Sequence, residues 1–238
     1  MNVYLRNFEA YRKMVLNAEW KSDKKIMDNI SKDINALTRR AFLEGTISCY
    51  FKHYNPDEPL FSPIPDSLNS LIIDIEGSNP LKLIGLLTQD KMFFYMLKPQ
   101  YEKDFYKFIA KLLKILRKVL LFGFTFWDLD SILRVKEDLI YKYGFDKDKL
   151  KYFDDLLYFN LQEYDHENVS SALYSLGMTE IPKDPLYRKS SHVNKLFKDG
   201  FYDIIQQHNF SCLACESFIF LKRFIPKHII TLQTGERN

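Results

Sequence analysis

Apolar residues recur at helical spacing through the first 54 residues, and polar and charged residues fill the gaps between them. Two such series are Val3, Phe8, Tyr11 and Val15, and Ile26, Ile30, Ile34 and Leu37. A repeat of three to four residues is typical of amphipathic helices. Residues 55–65 then contain four prolines, which fix φ and remove backbone donors. We therefore predict a helical N-terminal region and linker over residues 1–65 and a separate domain over residues 66–238.

After the linker the pattern changes to short apolar runs that tight turns separate. Three runs, at residues 71–76, 81–87 and 91–97, predict an antiparallel meander of strands. An amphipathic helix is predicted over residues 101–118, and the run VLLFGFTF at 119–126 predicts a fourth strand. Further helices are predicted over residues 129–142, 146–159, 165–177 and 193–224. This order predicts an α+β or α/β fold, and we favour an α/β fold with a mixed β-sheet flanked by helices.

Two carboxylates end the first of these predicted strands. Asp74 and Glu76 are two residues apart in LIIDIE, so on a strand both side chains project from the same face. Carboxylates on a buried face are costly unless a positive charge lies between them. Divalent cations such as Mg²⁺ and Mn²⁺ prefer hard oxygen ligands. The pair is therefore a candidate metal site, although the same common spacing also fits an exposed strand end.

The stretch LIIDIEGSNPLKLIGLLTQDKMFFYM resembles the first motif of the DEDD family of 3′–5′ exonucleases, an apolar strand with Asp-x-Glu followed by a turn and two further strands. In that family a helix and a strand then lead to an aromatic–Asp pair, and Trp127-Asp128 occupies the corresponding position. Asp130 is the alternative if the register shifts. The asparagine that usually precedes this aspartate is missing. The resemblance covers about residues 66–225 and implies an RNase H-like fold with an N-terminal helical extension.

The last family motif is a helix with Tyr-x-x-x-Asp or His-x-x-x-x-Asp, and the predicted helix around residue 208 resembles it. His208 takes the place of the tyrosine, and Cys212 takes the place of the aspartate. Cys212 departs from the family pattern, because sulfur is a soft ligand that suits Mg²⁺ poorly. Asp203 and Glu216 are alternatives from neighbouring turns, and Glu216 lies four residues beyond Cys212.

The resemblance implies an enzyme that hydrolyses phosphodiesters of single-stranded DNA or RNA with two Mg²⁺ or Mn²⁺ ions. The implied metal ligands are Asp74, Glu76 and Asp128, with Asp130 and Cys212 as further candidates. His208 is the implied general base or water-orienting group, since imidazole titrates near neutrality. One alternative is a pseudo-nuclease that keeps the fold to bind nucleic acid or a protein partner. Another is that the N-terminal helices bind a protein partner and the sheet is only their scaffold.

Net charge and cysteine content bear on the binding partner and the cellular compartment of the protein. The net charge of +3 is too small to argue for nucleic acid by itself. The three cysteines are an odd number without the regular spacing of a disulfide framework, which favours a reducing compartment. Cys212 and Cys215 form a single C-x-x-C pair, and because a zinc site needs a second pair, packing of these cysteines in a helix is favoured. The sequence shows no signal peptide and no apolar run near the roughly 20 residues of a membrane helix. We therefore predict a cytoplasmic protein without membrane contact.

Overall fold

The computed structural model describes residues 24–53, 69–89, 91–163, 167–178, 183–187 and 189–224. The described elements are α1 (Lys24–Leu43), β1 (Ile47–His53), β2 (Ser70–Glu76), β3 (Leu83–Leu87), β4 (Lys91–Leu97), α2 (Glu102–Leu116), β5 (Leu120–Gly123), α3 (Phe126–Tyr141), β6 (Leu157–Asn160), α4 (Val169–Ser175), α5 (Val193–Lys198) and α6 (Tyr202–Phe224). Short 3₁₀ helices occupy Pro99–Tyr101, Lys147–Asp155 and Ser190–His192. Within these ranges, none of the helices combines the length and the apolar character needed to cross a membrane.

The described strands form one mixed six-stranded sheet in the order β1-β4-β3-β2-β5-β6. Each of the first four strands in this order is antiparallel to its neighbour among the four, whereas β5 runs parallel to β2 and β6 runs parallel to β5. The central strands β2 and β5 are buried along their whole length. Continuous apolar runs are typical of strands covered on both faces. The predicted meander and the α/β class with a mixed sheet are therefore confirmed.

Helices cover both faces of the sheet. On one face, Phe220 of α6 packs on Phe122 of β5 with ring centroids 4.5 Å apart. On the other face, Tyr95 of β4 packs on Phe108 of α2 at 4.7 Å and shares a 3.0 Å hydrogen bond with Thr38 of α1. The sheet is thus the middle of three layers, and polar side chains that point from it toward α6 are enclosed.

Two helix predictions were wrong, and a third region is helical as predicted but with one break. Residues 47–53, predicted within an N-terminal helical region, form β1, which pairs with β4 along its length. Residues 157–160, predicted at the end of a helix, form β6, because a short buried apolar run fits either element and pairing with β5 decides between them. The helix predicted over 193–224 is two helices, since Gly200 adopts a φ of 82° between α5 and α6. The predicted series from Val3 to Val15 and the linker at 55–65 lie outside the described residues.

A buried ion pair between Arg223 and Glu167 connects α6 to the loop between β6 and α4. Arg223 donates to both carboxylate oxygens of Glu167, at 2.9 and 2.6 Å, and to the carbonyl of Leu161 at 2.7 Å. The two charged side chains are 3% and 0% exposed. The loop leads into Asn168, which caps α4 through a reciprocal capping box with Ser171. The position of α4 relative to α6 therefore depends on this pair.

Replacing Arg223 by Met should destabilise the protein by about 3–5 kcal/mol, because it leaves the Glu167 carboxylate buried without its partner. The measurement is the free energy of unfolding in urea. The double variant Arg223→Met/Glu167→Leu removes both charges and should recover most of the loss. A double variant as unstable as the single one would mean that packing, and not the unpaired charge, sets the cost.

Candidate functional site

A cavity of about 540 Å³ opens at the edge of the sheet where the parallel strands β2 and β5 end. We call it the acidic cavity, because it is lined by Asp74, Glu76, Asp128, Asp184 and Glu216. Among the described residues that line it, none is Lys or Arg. Clefts lined by charges of one sign concentrate counter-ions. The acidic cavity is therefore suited to cations, or to an anionic ligand that enters together with cations.

Strand β2 places Asp74 and Glu76 side by side at the wall of the cavity, as their two-residue spacing predicts. Asn209 of α6 donates from Nδ2 to Asp74 Oδ2 at 2.6 Å and to the Asp74 carbonyl at 3.2 Å. This close approach needs Gly85, which pairs with Asp74 on β3, because a Cβ at position 85 would overlap the Asn209 amide. A small residue on the neighbouring strand thus determines how the Asp74 carboxylate is held.

Asp128 enters from the first turn of α3. The predicted strand over 119–126 ends at Gly123, and Thr125 then caps α3 by accepting a hydrogen bond from the Trp127 amide at 3.2 Å. Asp128 Oδ1 accepts from the Ile75 amide at 3.2 Å, and its Oδ2 lies 3.3 Å from the Tyr158 hydroxyl, which shares its proton between this carboxylate and the Thr125 carbonyl at 2.5 Å. The amide of the residue between Asp74 and Glu76 therefore connects β2 directly to the third carboxylate.

Helix α6 contributes Glu216, the fourth buried carboxylate, which is 1% exposed. The Phe124 amide donates to this carboxylate. Its Oε2 atom is buried without a hydrogen-bond partner. His208, Cys212 and Glu216 are four residues apart, a spacing that aligns side chains along one helix face. One face of α6 therefore supplies a carboxylate, a thiol and an imidazole to the acidic cavity.

His208 bridges two carboxylates inside the cavity. Its Nδ1 atom lies 2.7 Å from Asp184 Oδ1, and its Nε2 atom lies 3.2 Å from Glu76 Oε1. Cys212 Sγ lies 3.9 Å from Nδ1 on the same helix face. Burial lowers the pKa of His208, but the Asp184 hydrogen bond and the nearby charges of Glu76 and Asp184 outweigh burial, so its pKa is raised. The imidazole is therefore held in a fixed orientation between two acids.

The crowded carboxylates have raised pKa values. Burial, followed by the charges of Glu76, Glu216 and Asp128, raises the pKa of Asp74 well above its usual range. Burial raises the pKa of Asp128 to about 8, with a further contribution from Glu76. Burial raises the pKa of Glu76 to about 7 even though His208 opposes the shift, and burial with the Asp128 charge raises that of Glu216. Raised acid pKa values at one cavity are typical of functional sites.

Most residues singled out from the sequence meet at this cavity. Those that line it are Asp74, Glu76, Asp128, His208, Cys212 and Glu216. Asp130 and Asp203 are exposed and do not line it. Three residues that sequence reasoning missed hold the site in place, namely Asn209 at Asp74, Tyr158 at Asp128 and Asp184 at His208. The two residues in each of these contacts are at least 24 positions apart in the sequence, so no local sequence pattern predicts the contact.

The four carboxylates Asp74, Glu76, Asp128 and Glu216 fit a hard divalent cation. They are buried, of like charge and supplied by three different elements. The unpartnered Oε2 of Glu216 offers a lone pair that no protein donor satisfies, and buried acceptors without a hydrogen-bond partner are rare in proteins. Mg²⁺ and Mn²⁺ take oxygen ligands of this kind. The residues present are thus chemically suited to the cations that the family resemblance implies.

Comparison with known proteins gives no match for this chain. No family model matches it, no curated protein matches it, and no solved structure matches it. A function for the chain therefore has to be inferred from the geometry of the acidic cavity.

Replacing Gly85 by Ala should disturb the site from the neighbouring strand, because the added Cβ would displace the Asn209 amide from Asp74. Overpacking of this kind costs about 1–3 kcal/mol. The measurements are the free energy of unfolding and, if the acidic cavity binds the expected cation, the affinity for Mn²⁺, and both should fall. Asn209→Ala in the Gly85→Ala background should recover stability but not Mn²⁺ affinity. If Gly85→Ala changed neither quantity, α6 would not be held as closely as the structure has it.

Proposed function

We propose that this protein is a metal-dependent 3′–5′ exonuclease that hydrolyses single-stranded DNA or RNA. The observation that carries the proposal is the meeting of Asp74, Glu76, Asp128 and Glu216 at one cavity, with all four side chains buried. Glu216 supplies the acid that the family pattern requires on the last helix and that Cys212 does not provide. The order of elements also supports an RNase H-like fold, since β2, β3, β4, α2 and β5 precede Asp128 as in the resemblance.

The four carboxylates would hold two Mg²⁺ or Mn²⁺ ions, which when bound supply a water nucleophile and stabilise the leaving oxygen of the phosphodiester. The protein's own contribution is to fix the carboxylates in advance. Asn209 orients Asp74, and the Ile75 amide with the Tyr158 hydroxyl orients Asp128. Sites whose groups are oriented before the reaction avoid the cost of reorganisation in the transition state.

His208 is the group best placed to move a proton at this site. Its Nε2 faces the cavity beside Glu76, and Asp184 accepts from Nδ1 at 2.7 Å. A carboxylate behind the ring fixes the tautomer and leaves the other nitrogen for proton transfer. His208 would therefore accept a proton from the attacking water, and Asp184 would stabilise the resulting imidazolium. Asp184 is a positioning residue in this scheme.

The cavity also fits the end of a nucleic acid strand. Its volume of about 540 Å³ lies in the range of roughly 300–1,000 Å³ that is usual for small-ligand sites. Trp127 and Tyr187 line it, and each is 39% exposed. Exposed aromatic rings beside such a site can stack on bases of any sequence. Because no described lining residue is Lys or Arg, bound cations would neutralise the phosphate, so binding should depend on metal.

The test is digestion of single-stranded DNA and RNA oligonucleotides by the full chain after metal removal, with Mg²⁺ or Mn²⁺ added back. We expect shortening from the 3′ end, seen as a ladder of 5′-labelled products, and none in excess chelator. Asp74→Asn keeps the size of the side chain and the hydrogen-bonding amide partner, and it should remove the activity. Digestion that persists without metal, or in Asp74→Asn, would overturn the proposal.

A second function is favoured by the position of Cys212. Its thiol lies in the acidic cavity where the family pattern has a carboxylate. If the wild-type chain binds single-stranded oligonucleotides with either metal but digests none, the protein is a pseudo-nuclease that binds nucleic acid. Cys212→Asp would then be the informative variant, because it restores the family carboxylate at that position.

A further inference from the structure

The acidic cavity contains a second group of ligands that differs in chemistry from the four carboxylates. Glu76, His208 and Cys212 each offer one ligand atom, and these atoms all lie within 4.8 Å of one another. The set therefore combines one oxygen, one nitrogen and one sulfur. Mixed nitrogen and sulfur donors suit Zn²⁺ and other borderline or soft cations, whereas Mg²⁺ is poorly served by a thiol.

The geometry around His208 resembles that of a metal-binding histidine. Asp184 Oδ1 lies 2.7 Å from Nδ1, so Nδ1 carries the proton that this carboxylate accepts. The other nitrogen, Nε2, lies 3.2 Å from Glu76 Oε1. Histidine ligands of metals usually donate their second N–H to a carboxylate in this way, which fixes the ring and makes the free nitrogen a better ligand.

The distances need little adjustment to accept an ion. In a tetrahedral zinc site with Zn–S near 2.3 Å and Zn–N near 2.0–2.1 Å, the sulfur and nitrogen ligands are about 3.6 Å apart. Cys212 is on the same face of α6 as His208, one turn away, and it is only partly buried. Cys212 Sγ lies 3.9 Å from Nδ1, the nitrogen that faces Asp184, so its side chain has to rotate toward Nε2 to close the set. Three protein ligands leave a fourth position for water, as in zinc sites with an open coordination position.

We propose that Glu76, His208 and Cys212 form a binding site for a thiophilic divalent cation of the Zn²⁺ type, distinct in its ligand set from the four-carboxylate group. Binding displaces the thiol proton of Cys212 and any proton shared between His208 and Glu76. Because Glu76 belongs to both sets, occupation by Zn²⁺ removes a carboxylate from the Mg²⁺ or Mn²⁺ ions. The site is therefore inhibitory, and this last statement rests on the proposed nuclease function.

The test of binding uses the metal-free full chain and Co²⁺ as a spectroscopic substitute for Zn²⁺. Thiolate ligation of Co²⁺ produces a sulfur-to-metal charge-transfer absorption, and Zn²⁺ added afterwards should abolish it. Cys212→Ser should lose the absorption and weaken Zn²⁺ binding by more than about 100-fold, beyond the roughly 10–100-fold cost of losing an outer partner. Asp184→Asn should keep the absorption and weaken binding by roughly 10–100-fold.

Two matched controls identify the sulfur. Cys215→Ala removes the other thiol that lines the cavity, three residues away on α6, and Cys49→Ala removes the thiol on β1. Both should keep the absorption, and circular dichroism should show that all the variants are folded. An absorption that is absent from the wild type, or that is lost in Cys215→Ala and kept in Cys212→Ser, would overturn the proposal.

The inhibition is measured separately, as metal-dependent digestion in millimolar Mg²⁺ with increasing micromolar Zn²⁺. The wild type should be inhibited, and Cys212→Ser should need at least about 10-fold more Zn²⁺ for the same effect. If the chain has no nuclease activity, the absorption titration still decides whether the site binds metal. Equal inhibition of wild type and Cys212→Ser would overturn the inhibitory role.

Discussion

In the proposed nuclease, replacing Asp128 by Asn should lower the rate of metal-dependent digestion by about 10³-fold while the protein stays folded. The carboxylate lies in the acidic cavity with Asp74 and Glu216, and it already accepts hydrogen bonds from the Ile75 amide and the Tyr158 hydroxyl. An asparagine occupies the same volume but removes the negative charge. Loss of one preorganised electrostatic contact in an active site costs about 10²–10³-fold. The additional loss of a metal ligand places the expected effect at the upper end.

Asp130→Asn is the matched control for this variant. Asp130 is two residues further along α3, where the side chain is exposed and does not line the cavity. The substitution makes the same change of charge on the same helix, so a general electrostatic effect would appear in both variants. We expect digestion by Asp130→Asn within about twofold of wild type. Equal losses in the two variants would mean that the carboxylate in the cavity is not a special contributor.

The metal-free protein should lose about 3–6 kcal/mol of stability between pH 5 and pH 7, if one or two of the buried carboxyls follow the slope of about 1.4 kcal/mol per pH unit and proton. The pKa values of Glu76 and Asp128 are raised to about 7 and about 8. In the unfolded chain both groups titrate near 4. The folded protein therefore binds protons that the unfolded chain has already released.

The direction of the effect follows from this excess of bound protons. The contribution of these carboxyls to stability is greatest below their unfolded pKa values near 4, where they are protonated in both states, and it falls as the pH rises from there to the folded values. The raised pKa of His208 acts in the same direction from its unfolded value near 6.5 upward. Urea unfolding in chelator at several pH values measures the effect. If the proposed metal site exists, saturating Mn²⁺ should remove most of the slope, because the ion displaces the protons from the carboxylates that hold it.

Glu216→Gln separates this stability effect from catalysis. The variant removes one of the four like charges, so the metal-free protein should be more stable than wild type at pH 8 and less dependent on pH. The same variant should lose the proposed nuclease activity, because it removes a proposed metal ligand. Glu137→Gln, on the exposed side of α3, should change neither property. If Glu216→Gln destabilised the metal-free protein at pH 8, electrostatic repulsion among the buried carboxylates would not be destabilising the native state.

The central strands of the fold were readable from the sequence because they are buried on both faces. Strands that helices cover on both faces need nearly continuous apolar residues, and runs such as LIIDIE and VLLFGF have this composition. The outer strands were harder to recognise. β6 is only four residues long, and β1 follows a genuine helix, α1, without a proline between them. β1 and β6 are strands because each pairs with a neighbouring strand that has free backbone donors and acceptors. The sequence of either segment does not show which strand lies beside it.

The site was partly readable for a related reason. Asp74 and Glu76 share a strand, so their spacing alone places them together, and Glu216 could be derived from the four-residue spacing after His208 and Cys212. Asp184 lies in a loop, and Tyr158 lies on β6, which the sequence predicted as the end of a helix. No local pattern therefore identified either residue as part of the site. Their roles depend on packing across the cavity, which is set by tertiary structure.

The distribution of the site along the chain determines when it can first exist during synthesis. Glu76 and its neighbour Asp74 emerge early, whereas His208, Cys212 and Glu216 are all on α6, the last described helix. At about 5–20 residues per second, translation needs roughly 7–28 s to proceed from residue 74 to residue 216. Until α6 has docked on β2 and β3, the nascent chain lacks the fourth carboxylate. Any activity of the acidic cavity that needs all four carboxylates therefore begins only after α6 has been synthesised and has packed against the sheet.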